Sequence, residues 1–138
     1  MFRKILEEIL AKHRKWLNGE SGGERANLRC ASLKYANLEG VDLSGADIRG
    51  ANLEGANLEY ANLEGSNLEG AYLRGARLEG ANLRGANLED ARFEGASLEG
   101  ADIRGTRFES ADIIGISRPQ TKARTVCCIR HDKTASGF

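Results

Sequence analysis

The chain has 138 residues, and its 20 basic and 20 acidic side chains cancel. That is one domain's worth of chain, with no global pull toward nucleic acid or anionic lipid. No apolar stretch approaches the roughly 20 residues that span a bilayer, and Arg3, Lys4, Glu7 and Glu8 interrupt the start where a signal peptide would be apolar.

Three cysteines, two of them adjacent at Cys127 and Cys128, make no disulfide framework, so a reducing, cytoplasmic setting is expected. Seventeen glycines and one proline are too glycine-rich for an ordinary helical domain, and the spacing is not that of collagen.

Residues 1–25 read as a capping helix and linker. In "FRKILEEILAKHRKWLNG", Phe2, Ile5, Leu6, Ile9, Leu10, Trp16 and Leu17 recur at steps of three and four, with His13 on the same stripe. A helix over residues 2–17 would end at Gly19, a left-handed stop. A packing role is expected for His13.

Residues 26–115 repeat with a period of five, giving 18 pentads. Position one is Ala in 15 of them and position three is Leu in 13, so the apolar pattern is strict. Position two is mostly Asn or Asp, position four mostly Glu or Arg, and position five Gly in 13, the others being Cys30, Tyr35, Tyr60, Asp90 and Ser110. A helix would scatter the leucines around its axis, and a flat strand would send alternate leucines to opposite faces. Three extended residues followed by a two-residue corner put Ala and Leu inside and position two outside. Gly at position five suits the corner, and Asn or Asp beside it can hydrogen-bond local backbone. A chain that turns the same way every five residues winds into a stack of coils.

The pentads "ADIRG", "ANLEG", "ANLRG" and "ARFEG" resemble the pentapeptide repeat family, over 90 residues without interruption. The opening "KHRKWLNGESGGERANL" is similar to helical N-terminal segments of bacterial and phage members. The resemblance implies an all-β solenoid: a right-handed quadrilateral β-helix with four pentads per coil and an N-terminal α-helical cap. Eighteen pentads would then make about 4.5 coils, roughly 22 Å tall.

With residues 20 apart stacked, one interior column is Leu28, Ile48, Leu68, Leu88 and Phe108. Outside, Glu39, Glu59, Glu79 and Glu99 form an acidic column, the candidate protein-binding surface. In water, neighbours about 4.8 Å apart would repel by roughly 0.9 kcal/mol before screening, and a solvated face is expected. Tyr35, Tyr60 and Tyr72 are scattered along the chain.

Residues 116–138 form a basic tail with one short apolar patch, Val126 to Ile129. Cys127, Cys128 and His131 lack a second ligand pair, and adjacent cysteines chelate poorly, so no metal is expected. No catalytic or cofactor-binding residues are expected either. There is no phosphate loop, and two histidines leave little room for a nucleophile–base arrangement.

A non-catalytic binding or scaffolding module with a protein partner is therefore the first reading, without direct nucleic-acid or membrane binding. The alternative, implied by the resemblance, is a DNA mimic that binds a type II topoisomerase such as DNA gyrase, as the fluoroquinolone-resistance members do. Residues 26–115 carry 15 acids and nine bases, a net −6. A duplex carries about 13 charges over 22 Å, roughly twice that density. The C-terminal end, with Phe93, Phe108, Ile113, Ile114 and Ile116, is expected to pair with a second copy of the chain. A tail folded over that end, or a disordered tail, is the alternative.

Overall fold

A computed structural model describes residues 2–112. Helix α1 spans Phe2–Leu17, a connector follows over 18–25, and residues 26–112 form a stack of square coils. Gly19 closes α1: with φ at 69°, it lets Gly19 N–H reach Trp16 C=O at 3.1 Å and Glu20 N–H reach Lys15 C=O at 2.8 Å. These two bonds are the Schellman pair expected of a left-handed stop.

The coil length is set directly by the ladder. Position-two residues pair in parallel with residues 20 ahead, from Asn27 with Asp47 to Arg92 with Asp112. Four pentads therefore make one turn. Three extended residues per pentad leave room for a single bridge each, so the ladder consists of isolated bridges and not of long strands.

One pentad inside the stack, residues 61–65, shows how the backbone is satisfied. Asn62 N–H bonds Val41 C=O in the coil before, at 2.9 Å. Leu63 and Gly65 N–H bond Asn82 and Arg84 C=O in the coil after, at 2.7 and 2.8 Å. Ala61 N–H closes the preceding corner on Leu58 C=O at 3.1 Å. Only the N–H of Glu64 lacks a backbone acceptor, and the side-chain Oδ1 of Asn62 takes it at 3.1 Å. This explains why position two favours Asn and Asp: a short acceptor two residues upstream satisfies the one donor that the corner strands.

At each corner, position five has positive φ, between 55° and 71° across residues 30–110, while position four does not. Positive φ at only the second central residue is the requirement of a type II turn. Cys30, Tyr35, Tyr60, Asp90 and Ser110 adopt the same conformation without the freedom of glycine.

Inside, the columns run as the period requires. Leu28, Ile48, Leu68 and Leu88 are buried at 1% exposure or less, and Phe108 at 8% marks the far end. Each buried leucine contributes roughly 1.5–3 kcal/mol of transfer free energy. Phe93 packs against Phe108 with ring centroids 6.0 Å apart.

Helix α1 lies across the first coil. Leu6 joins the core, and Ile9 and Leu10 pack partly against it. The stripe is less deeply seated than its periodicity suggests. Phe2, Ile5, Trp16 and Leu17 remain exposed. At 100° per residue, Ile5 and Trp16 fall on one edge of the stripe, and Phe2 and Leu17 lie at the helix ends. Ile113, Ile114, Ile116 and the 116–138 tail, including Cys127, Cys128 and His131, lie outside the described residues.

Candidate binding surface

The four sides of the coil, lettered A to D from pentads 26–30, 31–35, 36–40 and 41–45, differ in the charges they display at position four. Side A carries Arg29, Arg49, Glu69, Glu89 and Glu109. Side B alternates Lys34, Glu54, Arg74 and Glu94. Side D carries Ser44, Glu64, Arg84 and Arg104. Side C alone among the described residues is uniform: Glu39, Glu59, Glu79 and Glu99.

Ladder geometry dictates how these charges pair. On side B, opposite charges one coil apart meet directly: Lys34 with Glu54 at 3.5 Å and Arg74 with Glu94 at 3.9 Å. Elsewhere a position-four glutamate reaches the position-two side chain of the next coil, 18 residues on. Glu64 accepts from Asn82 Nδ2 at 3.2 Å, and Glu89 pairs with Arg107.

The glutamate column on side C uses the same device. Glu39 accepts from Asn57 Nδ2 at 3.3 Å, and Glu59 pairs with Arg77. Glu39 and Glu99 are exposed, but Glu59 and Glu79 are half-buried. The middle of the column is thus less solvated than its sequence spacing suggests, and Glu39 and Glu59 lean along the stack to side chains of the next coil. Glu79 differs from Glu59 in one respect: its Oε2 is buried and has no hydrogen-bond partner.

Two aromatic corners bracket the same side. Tyr35 occupies the corner between sides B and C, and Tyr60 the corner between C and D; they are 70% and 68% exposed. The Tyr35 ring lies over Gly55 and the Tyr60 ring over Gly80, each in the next coil of its corner column. Tyr72 sits on side B beneath Arg92, whose guanidinium carbon is 5.3 Å from the ring centroid. Two of the three tyrosines scattered along the chain thus converge on the acidic side. Their residue numbers contain the signal, since subtracting multiples of 20 places both at corners flanking the Glu39 pentad.

Three aspartates, Asp42, Asp47 and Asp102, have shifted values that reflect local structure. The Arg49 guanidinium, donating to Asp47 at 2.8 and 2.6 Å, holds that carboxyl below its usual range. Arg104 does the same for Asp102. Burial alone would raise Asp42, but hydrogen bonds from the Ser44 hydroxyl and backbone N–H, at 2.6 and 3.0 Å, bring it below its ordinary value. Among the described residues no group of His, Cys, Asp or Glu is placed to hold a metal ion. No described helix is long and apolar enough to cross a membrane. An open groove of about 490 Å³ runs between α1 and the first coil, lined in part by Phe2, Leu6, Leu10, Leu33 and Ala36.

A helix-capped solenoid of four-pentad coils, with an unbroken position-four glutamate column on one side, defines the class of protein. The pentapeptide repeat model matches eight copies across residues 26–59, 36–75, 51–90 and 76–113. The chain belongs to the pentapeptide repeat family. Among solved structures it is similar to HetL, a pentapeptide repeat protein involved in heterocyst differentiation regulation from Nostoc sp. strain PCC 7120. Identity is 40% and the TM-score 0.68, over 71% of this chain and 47% of HetL. The chain thus spans about half the length of that relative. It is also similar to alr5209 from Nostoc PCC 7120, with 33% identity and a TM-score of 0.50, over 84% of this chain and 88% of that one. QnrB1, a plasmid-mediated fluoroquinolone resistance protein, matches at 20% identity and a TM-score of 0.41, over 65% of this chain and 59% of that one, too weak a likeness to bear on function. A comparison with curated proteins finds no significant match.

Proposed function

We propose that this chain is a non-catalytic, rigid module that binds a protein partner through side C. The observation that carries the reading is the uniform column Glu39, Glu59, Glu79 and Glu99 framed by exposed Tyr35 and Tyr60. Tyrosine supplies contact area at low conformational cost, and a single-sign column steers a partner of opposite charge. A cationic protein surface is the complementary occupant. The regulatory role of HetL accords with a binding function of this kind.

The right-handed sense of the coil and a cytoplasmic location belong to the same proposal. The location rests on the free, exposed Cys30 and the odd number of cysteines.

The test is a pull-down in which side C is intact, or carries glutamine at all four glutamates, with circular dichroism to verify that the coil is retained. A partner captured by the wild type and lost by the folded variant supports the reading. A partner held equally by both shows that side C is not the contact surface.

The DNA-mimic alternative rests on the net −6 of residues 26–115. Arg77, Arg104 and Arg107 sit within that acidic field, each paired with a carboxylate, which lowers the density below that of a duplex. A gyrase supercoiling assay separates the two: dose-dependent inhibition or protection by this chain would favour mimicry.

A further inference from the structure

Every solenoid has a first coil whose edge groups have no coil before them. Here two of the backbone groups left open at that end are met by a single histidine. His13 of α1 is completely buried. Its Nδ1 accepts from Ala26 N–H at 3.0 Å, and its Nε2 faces Ser44 C=O at 3.1 Å. A ring nitrogen that accepts carries no proton, so the proton is on Nε2, which donates to Ser44. In later coils the carbonyl at position four is taken by the coil before, and the N–H at position one by a corner. Neither is available to Ser44 or Ala26, and the imidazole substitutes for both. Because Ala26 opens the first coil and Ser44 stands near its close, the ring ties the two ends of that coil to the helix.

This arrangement requires the neutral ring. A second proton on Nδ1 would point at the N–H of Ala26 and replace an acceptor with a donor. The Trp16 ring, stacked on His13 at 5.3 Å, would by itself favour a charged imidazole, so the penalty for protonation comes from burial and from the lost acceptor. Two charged groups act on the site from the elements packed there. Asp42 of the coil attracts an imidazolium, and Arg25 of the connector repels it. Lys12 of α1 is engaged with Glu24 across the same joint at 3.3 Å. Burial outweighs the rest and holds the imidazole below its ordinary value. A histidine with a lowered folded-state value contributes fully above its ordinary value, about 6.5. That contribution is lost as pH falls through the folded-state value.

What gives way is decided by how each part is held. The coil buries a Leu, Ile or Phe at position three of every pentad from 26–30 to 106–110 and is bridged coil to coil. Helix α1 has one apolar residue fully in the core, Leu6. Elements with few buried contacts open first. The carboxylates with shifted values, Asp42, Asp47 and Asp102, are all lowered, so their protonation belongs to more acid conditions.

We propose that His13 is a proton-operated latch, whose protonation frees α1 from the first coil while the coil stays wound, uncovering the apolar end around Leu28, Leu33, Leu38 and Leu43. The proposal is independent of which partner side C binds.

Trp16 is the sole tryptophan and stacks on the latch, so it reports the event in the full chain. Its emission should change reversibly between about pH 8 and about pH 4.5, with a one-proton midpoint below the ordinary histidine value. Over the same range, amide exchange at Ala26, corrected for its intrinsic pH dependence, should speed up by about tenfold or more while Leu68 and Leu88 stay protected. His13→Gln retains a donor and an acceptor but cannot titrate, and should abolish the emission change. His131→Gln, the control for the other histidine, should leave it in place. Should α1 fail to dock in the glutamine variant, ring-nitrogen chemical shifts of wild-type His13 decide instead. The latch requires the Nε2–H tautomer at neutral pH and a titration coincident with the loss of Ala26 protection. An emission change that persists in a docked His13→Gln variant, a His13 that titrates at or above its ordinary value, or simultaneous loss of protection at Leu68 would overturn it.

Discussion

Leu83 and Glu79 stand four residues apart and answer to opposite rules. Leu83 is buried in the column of Leu43, Leu63 and Ile103, so Leu83→Ala is expected to cost about 2–5 kcal/mol in urea melts. Glu79 holds a buried carboxylate oxygen with no partner, inside a column of like charge. Its replacement by Ala should change stability by less than about 0.5 kcal/mol, with any change toward greater stability. Comparable losses at the two sites would contradict the register. A second contrast sits at the corners. Gly65 and Gly80 share φ near 65°, where an alanine is strained by roughly 1 kcal/mol. A Cβ on Gly65 would meet nothing, whereas one on Gly80 would come within 2.7 Å of the Tyr60 ring. Gly80→Ala should therefore cost more than Gly65→Ala, and the excess should vanish in a Tyr60→Ala background, as a double-mutant cycle would reveal. Much at this scale could be read in the chain itself. The Ala and Leu columns and the polar position two follow from the period. The pairing of Glu59 with Arg77 could not, because it depends on which way a long side chain leans between coils.

Among the elements, α1 was legible as a helix but not in its depth. Its stripe predicted seven apolar residues and His13 against the coil. The structure seats Leu6 and His13 fully, with Ile9 and Leu10 at the margin. Periodicity reports direction around an axis, and says nothing about where a flat end of a coil begins and stops beneath it. His13 was expected to pack; its two hydrogen bonds became visible only once Ala26 and Ser44, 18 residues apart, were brought to one edge. Deletion of residues 1–19 removes both this closure and Leu6. Such a chain should aggregate or fray at its first coil, seen as faster amide exchange at Leu28 and Leu33. A monodisperse deletion with an unchanged melting curve would show that the coil needs no lid.

For the molecule as a whole, the far end sets the open question of assembly. Phe108 and Phe93 bring aromatic bulk to the last described coil. We expect two chains to meet there about a twofold axis, hiding both edges. Light scattering at high micromolar concentration should then report a dimer, and truncation after Gly115 should preserve it. A monomeric full-length chain would rule the dimer out, and aggregation on truncation would assign the covering role to the tail.

A four-sided coil built from five-residue units also makes length a stepwise property. Insertion of a single pentad after Gly65 would keep every Ala and Leu inward and leave the corners intact. It would nevertheless rotate everything beyond it by one side. Glu79 and Glu99 would move from side C to side D, and the acidic column would be cut in half at no cost to the core. Insertion of twenty residues would restore the alignment and lengthen the column by one coil. The core of this architecture is therefore indifferent to whether pentads are added in whole coils, whereas any recognition that spans several coils counts them in fours. Such a chain can lose a partner by duplication without losing its fold.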